Sequence, residues 1–545
     1  MTAAAPQGNP SAGPHDLLRP FALPFATIAA RRPTVIHDLT VPPTSRPGSS
    51  VRDRRWTIAL ILLVVAIAAR AQTFGNPVIG FDEQFYLLVG DRLLHGAIPY
   101  VDIFDRKPVG LFLIFAAARA LGGDGFLQYK LVALVCVVAT ALLIHGIARA
   151  GAGRVAAISA AALYILWLNL MEGEGGQSPV FYNLPMTAAA ALVLTAQRGG
   201  DPLRAGAGAM LLVGIALQIK YSVVVEGIFF GCWLIALAWR AGHRGWRLGR
   251  SILVWIALAM LPTLAAFGVY AGIGQAQAFV FANILSTLAQ GRAAMATQIA
   301  GLAAILGILA LPLLFTLVGW RGRRRGGDEA ARDRFLLGWL AASALGILLY
   351  WRFASPHYAM PMLPPLMSLL ARSIDTSRRR RIGGLALALI GLIAGQAVLA
   401  ISATRKGGAQ AAAAVARAAR VDGQGCIYVY DGYPALYMLT GSCLPTRWAF
   451  PGHLATRDES RAAALGVDPA REVRRILATQ PVAIIDDLPR FSGGNPITRR
   501  ILDGALAADY VLAARICTGP ARVRLVYRRR TERPLPAAGT FACAS

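Results

Sequence analysis

The sequence predicts a polytopic α-helical membrane protein of about eleven spans, with an extracytoplasmic α/β domain after the last of them. Three observations carry that fold class. The 545-residue chain is 56% apolar and only 15% charged, and soluble domains rarely reach its mean hydropathy of +0.52. Apolar runs near span length recur from residue 56 to about 401, with arginines bunched in the loops between them. Beyond 401 the pattern changes to short β-rich runs alternating with helical ones. The net charge of +27 invites a nucleic-acid reading, but basic residues dispersed between apolar runs are cytoplasmic loop anchors, so no nucleic-acid partner is expected.

Residues 1–55 are rich in Pro, Ala, Ser and Arg without sustained periodicity and read as a disordered cytoplasmic tail. Arg52, Arg54 and Arg55 precede the first span, WTIALILLVVAIAARAQ. Its Ala69-Arg70-Ala71 end resembles a signal-peptidase site, although so long a preceding tail is unusual for a cleaved signal. With the N-terminus inside, the expected cytoplasmic loops hold Arg149 and Arg154, then Arg198 and Arg204, then Arg240 to Arg250, then 321–334, and finally Arg372 with Arg378 to Arg381. The expected outer loops are 75–110, 172–179, a turn at Lys220, 273–297 and 351–358, and they carry far fewer basic residues. The alternation holds if the apolar run 111–123, too short to span, lies in the outer interface. Residues 56–401 therefore form the transmembrane module.

Residues 402–545 are expected to be a soluble outer domain. CIYVYD (426–431), VAIIDD (482–487), YVLAAR (510–515) and VRLVYR (523–528) read as strands, and 459–480 as a helix broken near Pro469. Cys426, Cys443, Cys517 and Cys543 all fall here, in an oxidising compartment if the topology is right. Of the three possible pairings, the sequential one (Cys426–Cys443, Cys517–Cys543) is the expectation, with free thiols as the alternative.

The chemistry points to 80–110, GFDEQFYLLVGDRLLHGAIPYVDIFDRKPVG. Asp91 and Arg92 read as the polar face of a helix whose apolar face carries Phe85, Leu88 and Leu93. Asp82 and Glu83, directly after the first span, are acids at headgroup level, and Lys107 opens the interfacial helix. A carboxylate can take a proton from a hydroxyl nucleophile, and a nearby lysine can neutralise a departing phosphate. Those are the parts for moving a sugar from a lipid phosphate to an acceptor hydroxyl.

The order Asp82-Glu83, Tyr86, Gly96, Pro99-Tyr100, Asp102, Lys107-Pro108 resembles the first outer loop of the C-type (GT-C) glycosyltransferases, in the protein O-mannosyltransferase-like and aminoarabinose-transferase-like branch. That branch includes bacterial galacturonosyltransferases of lipopolysaccharide. RFASPHYAMPMLPPL (352–366) resembles the late His-Tyr-Pro motif of that family, and YVYDGYPALYMLTG (428–441) the start of its outer domain. The resemblance covers about residues 56–530. It implies many spans around a cavity at the outer interface, a polyprenyl-phosphate-linked monosaccharide as donor, and an envelope glycan, lipid or protein as acceptor. It matches Asp82, with Glu83 beside it, to the catalytic acid, and Lys107 to the donor-phosphate lysine. Two departures stand out. Gln84 and Phe85 stand where related transferases carry an arginine, which makes Arg352 the candidate second cation. Ser178-Pro179-Val180 stands where a second-loop acid is common, which leaves Glu172 and Glu174 as possible substitutes.

His357 is a candidate donor-phosphate contact or a histidine pinned at a helix start by Pro356. Tyr86, Tyr100, Asp102, Asp105 and Tyr358 are possible substrate contacts. Lys220 and Glu226 are expected either to pair or to face substrate. His145 reads as structural or interfacial. No His, Cys or Asp cluster has zinc spacing, so no metal ligand is assigned; no cofactor is required, and a divalent metal stays open. High Ala, Arg and Gly usage suggests a GC-rich bacterium, hence the cytoplasmic (inner) membrane, with the site on the periplasmic or extracellular face. The competing readings are a transporter or flippase of lipid-linked sugar and a non-catalytic, glycan-binding relative.

Overall fold

The computed structural model describes residues 49–320, 326–420, 425–520 and 522–530. The expected disordered tail lies outside the described residues up to residue 48, and from Ser49 the chain is helical. Helix α1 (Ser49–Arg70) is followed by α2 (Phe81–Leu94) and the 12-residue α3 (Val109–Ala120). Next come α4 (Phe126–Arg149), α5 (Arg154–Leu168), α6 (Ser178–Gln197), α7 (Pro202–Leu217), α8 (Val224–Arg240) and α9 (Gly245–Gly272). The short α10 (Ala276–Val280) and α11 (Ser286–Ala289) precede α12 (Met295–Trp320), α13 (Gly327–Tyr350), α14 (Leu363–Ile374) and α15 (Arg378–Lys406).

Among the described residues, nine helical segments are long and apolar enough to cross a membrane. The other two expected spans are α7 and α14, which rise only about 24 and 18 Å at 1.5 Å per residue. Helix α14 is enclosed: every residue from Leu363 to Ala371 is buried. Lipid thickness does not set its length, since neighbouring helices rather than lipid surround it. Polar side chains start several of these helices. The Asp201 carboxylate accepts from Leu203 N (2.9 Å) ahead of Pro202, and Ser377 Oγ accepts from Arg380 N (3.2 Å).

The loops sort into two groups, as the arginine alternation predicts. Glu329 and Asp333 in the first turns of α13 receive Arg372 (2.8 and 2.6 Å), and Asp375 receives Gly153 N (2.7 Å) and Arg381 (3.0 Å). Tyr350, the last residue of the same α13, lines a cavity with residues from four of the expected outer loops. A helix of 24 residues separates the two groups by about 36 Å.

Two glycines fix the helices beside that cavity. A Cβ on Gly90 would stand 2.6 Å from the Ala116 nitrogen, so α2 and α3 meet backbone to backbone. A Cβ on Gly110 would stand 2.6 Å from the Gln218 carbonyl, which brings the start of α3 against the α7–α8 turn.

The region after α15 builds a four-stranded mixed sheet in the order β1-β2-β4-β3, from β1 (Ile427–Val429), β2 (Ala483–Leu488), β3 (Tyr510–Gly519) and β4 (Arg522–Arg529). The four strands lie where the β-rich runs predict them. Strands β1 and β2 are parallel, with Tyr428 opposite Ile484; β4 runs antiparallel to both β2 and β3. Helix α16 (Ala409–Ala419) leads in, and Arg528 of β4 donates to its Ala418 carbonyl (2.8 Å). Between β1 and β2 lie α17 (Leu436–Leu439), α18 (Pro451–Ala455), α19 (Ala462–Leu465) and α20 (Pro469–Ala478). The expected break falls between α19 and α20, where Gly466 is left-handed and Asp468 caps α20. Helix α21 (Pro496–Asp509) leads into β3. Cys426 and Cys443 form a disulfide. Cys517 is also disulfide-bonded, while Cys543 lies outside the described residues.

This sheet domain is tied to the opening loop. Phe104 N donates to the Arg447 carbonyl (2.8 Å), Arg92 to the Ser442 carbonyl (2.6 Å) and Lys406 Nζ to the Ile79 carbonyl (2.9 Å).

Candidate active site

A cavity of about 280 Å³ opens among these loops. Asp82 reaches it from the first turn of α2, where the helix N-terminus favours a carboxylate. The segment before α3 supplies Asp105, Arg106 and Lys107; the α7–α8 turn supplies Lys220; the 351–358 loop supplies Arg352, His357 and Tyr358; and the sheet domain supplies Phe450, His453 and Glu459. Three of the four non-glycine residues with left-handed φ among the described ones, Tyr100, Glu172 and Trp351, sit in the loops around it. Such backbone is held only where surrounding contacts over-determine it.

The Gln177 amide (3.0 Å) and the Tyr86 hydroxyl (3.4 Å) both donate to Asp82 Oδ2. Burial pushes the Asp82 carboxyl up, but Lys107, His357, Gln177 and Lys220 together outweigh it and hold the carboxyl below its ordinary value. Asp82 is therefore an anion at neutral pH. Lys107 stands over the Tyr86 ring (5.7 Å). Burial disfavours its ammonium, but Tyr86, Asp105 and Asp82 outweigh that and raise it well above the usual lysine value. The Tyr100 hydroxyl donates to the Lys107 carbonyl (2.7 Å), which places the lysine. Arg106 pairs with Glu459 and donates to Ser286 Oγ (2.7 Å).

Two cations differ. Lys220 lies over the Tyr358 ring (4.2 Å), and Arg352 donates to the Gln290 side chain and lies near the Tyr350 ring (5.6 Å). Among the described residues neither has a carboxylate at ion-pair distance. Burial, with Lys107 beside it, lowers Lys220 to about 7 despite Asp82. An anion seated in this cavity would meet two cations not already neutralised by an acid.

The remaining sequence candidates divide. Asp105 lines the cavity and accepts from Arg106 N (2.5 Å). His357 pairs through Nδ1 with Glu172 (2.7 Å), so Glu172 touches the site only through the histidine. Glu83 does not reach the cavity. One position on from Asp82, it points into the bundle and accepts from the Tyr129 hydroxyl (3.0 Å). Burial raises its carboxyl, against the Gly176 amide, Lys130, Tyr129 and Arg70. Glu174 is buried away from the cavity with Oε2 unbonded, and burial pushes its carboxyl up to about 7 against the pull of Lys406. Neither second-loop acid stands beside Asp82; the neutral Gln177 does. Asp102 closes its own turn by accepting from Ile98 N (2.7 Å), and Tyr100 supports Lys107 from behind. Lys220 and Glu226 do not pair, because Glu226 accepts from Trp339 Nε1 (2.6 Å) and Ser343 Oγ (2.9 Å). Among the side chains the sequence reading passed over are Arg106, Gln177, His453 and Glu459. Among the described residues, no group of three or more His, Cys, Asp or Glu side chains could hold a metal ion.

Compared with solved structures, the chain superposes on ArnT from Cupriavidus metallidurans with a TM-score of 0.59, covering 88% of this chain and 98% of that one at 15% identity. The two proteins share one fold. It is the C-type glycosyltransferase fold expected from the loop motifs, and its extent takes in both the helical bundle and the sheet domain. Lower likenesses are to the Archaeoglobus fulgidus oligosaccharyltransferase (TM-score 0.48, 10% identity, 80% of this chain and 69% of that one) and to the arabinosyltransferase EmbB from Mycobacterium smegmatis (0.42, 15%, 81% and 42%). No protein-family model and no curated protein sequence matches the chain.

Proposed function

We propose that the chain is an integral membrane glycosyltransferase that moves a monosaccharide from a polyprenyl-phosphate donor to a hydroxyl of an envelope glycan, lipid or protein. The observation that carries this reading is the presence, in one cavity, of an ionised carboxylate and two basic side chains, Lys220 and Arg352, that have no carboxylate at ion-pair distance among the described residues. The acceptor oxygen attacks the anomeric carbon, the bond from that carbon to the phosphate oxygen breaks, and the acceptor proton passes to Asp82. The products are the glycosylated acceptor and polyprenyl phosphate. Lys107, Lys220 and Arg352 stabilise the charge that gathers on the leaving phosphate, and His357, steadied by Glu172, orients it. The arginine alternation puts this end of the bundle on the outer face of the cytoplasmic membrane. A flippase would favour charges at mid-depth, whereas Glu226, in the first turn of α8, is occupied by Trp339 and Ser343.

The test uses the purified chain, a synthetic polyprenyl-phosphate sugar and an envelope extract. Release of polyprenyl phosphate is expected, together with one sugar missing from envelope glycans of a strain lacking the gene. Absence of both would overturn the reading.

Lys220 predicts the pH dependence. Below about 7 it is an ammonium that attracts the donor phosphate, and above that it is neutral. Donor KM is therefore expected to rise roughly tenfold between pH 6 and 8, the loss of one charge-assisted hydrogen bond. In Lys220→Gln the high KM should hold across the range. A wild-type profile retained by the variant would assign the titration to another group.

A further inference from the structure

A second cavity, of about 400 Å³, lies in the sheet domain against the start of α2. Its position is set by two pairs of sequence neighbours. Phe81 and Pro451 line it, while Asp82 and Phe450 line the first cavity. The Phe81 and Phe450 rings pack edge to face at 5.0 Å, so a wall of these two rings separates the two spaces.

Its lining suits a particular chemistry. Asp487 is buried, with Oδ2 facing Arg524 (2.8 Å) and Arg522 (3.3 Å), yet its Oδ1 has no hydrogen-bond partner. A buried acceptor left unbonded is costly in a folded protein, and a ligand hydroxyl would satisfy it. Asp431 and Arg457 add further acceptor and donor groups. Phe491 on the rim is a large apolar ring left 58% exposed among the described residues. Carboxylate and guanidinium groups beside an open aromatic face match a sugar ring, which offers hydroxyls at its edge and an apolar C–H face. The mechanism above uses none of these residues.

We propose that this second cavity is the acceptor subsite, holding a saccharide unit of the acceptor glycan with its hydroxyls on Asp487, Asp431 and Arg457 and its C–H face on Phe491. The inference rests on the transferase reading and makes it specific: the acceptor is a glycan or glycolipid. A saccharide held here projects its neighbouring unit past Phe81 toward Asp82. Its hydroxyls would be selected strongly, because a sugar lacking the one opposite Asp487 leaves that oxygen unbonded.

The test applies the full-length chain in detergent to an array of immobilised neutral, amino and uronic saccharides. Binding to a subset is expected, reduced at least tenfold in Phe491→Ala and in Asp487→Asn. With a bound saccharide as acceptor, Phe491→Ala should raise acceptor KM at least tenfold while donor KM and kcat hold. Phe491 is exposed, so its loss leaves folding intact even if Asp487→Asn does not. No saccharide bound, or binding insensitive to Phe491→Ala, overturns the subsite and leaves the transferase reading standing. Binding that depends on these residues without any transfer overturns the transferase reading and leaves a glycan-binding site.

Discussion

Asp82→Asn is expected to abolish sugar transfer, by two to four orders of magnitude in kcat, while expression and donor binding stay near wild type. Asparagine keeps the size of the side chain and still accepts from Gln177 and Tyr86, the two groups that orient Asp82. What it loses is the ability to take the acceptor proton. The cations that hold Asp82 ionised also make it a weak base, so the proton moves late, once the acceptor oxygen has begun to bond to the anomeric carbon and has become acidic. A residue that acts only as that bond forms shows its loss in kcat rather than in KM. Glu83→Gln is the contrasting variant: its side chain serves Tyr129 and the Gly176 backbone, so it should lower stability more than rate. The measurement is release of polyprenyl phosphate from a synthetic donor in a membrane fraction. Asp82→Asn at wild-type rate with Glu83→Gln inactive would move the base to Glu83, and activity in both would remove the loop from catalysis.

That pair marks where sequence reading stops. Asp82 and Glu83 are both acids at headgroup level, and only their positions about 100° apart on α2 decide which one meets substrate. Lys107, Arg352 and His357 could be picked out because each is an unusual side chain just outside an apolar run. The alternation of arginine-rich and arginine-poor loops was legible for a similar reason: it depends on local composition rather than on packing. The contribution of the sheet domain was not legible. Glu459 reaches Arg106 across 353 positions of sequence, and in the sequence it merely opens the run 459–480 that reads as a helix. Gln177 carried no signal either, since an amide matters here only because it stands where a second acid would have repelled Asp82. The shortness of α14 was hidden because a helix enclosed by other helices is as apolar as one in lipid.

Arg70→Met is expected to destabilise the bundle more than any single change in the cavity, by about 3–5 kcal/mol, as when one partner of a buried charge cluster is removed. In the sequence Arg70 looks like the polar end of a first span, next to a cleavage-like motif. In the structure it is buried and donates to the Gly173 carbonyl (2.6 Å) and to the Gly175 carbonyl. Those carbonyls belong to the loop between α5 and α6, the loop that carries Gln177 to Asp82 and Glu172 to His357. Glu83 and Glu174 are buried nearby, and Arg70 is one of the cations that offsets Glu83. Methionine fills the volume but leaves two carbonyls without donors and the Glu83 carboxylate short of a countercharge. Unfolding in detergent, followed by loss of monodisperse protein on heating, should come at a clearly lower temperature in Arg70→Met. Arg70→Lys should recover part of it, since an ammonium restores the charge but cannot fork to both carbonyls. Activity should fall in parallel even below the unfolding temperature, because the loop that orients Asp82 and His357 loses its anchor. An Arg70→Met protein with wild-type thermal stability would show that the 173–175 backbone is held by the rest of the loop, and that the arginine only marks the end of the first span.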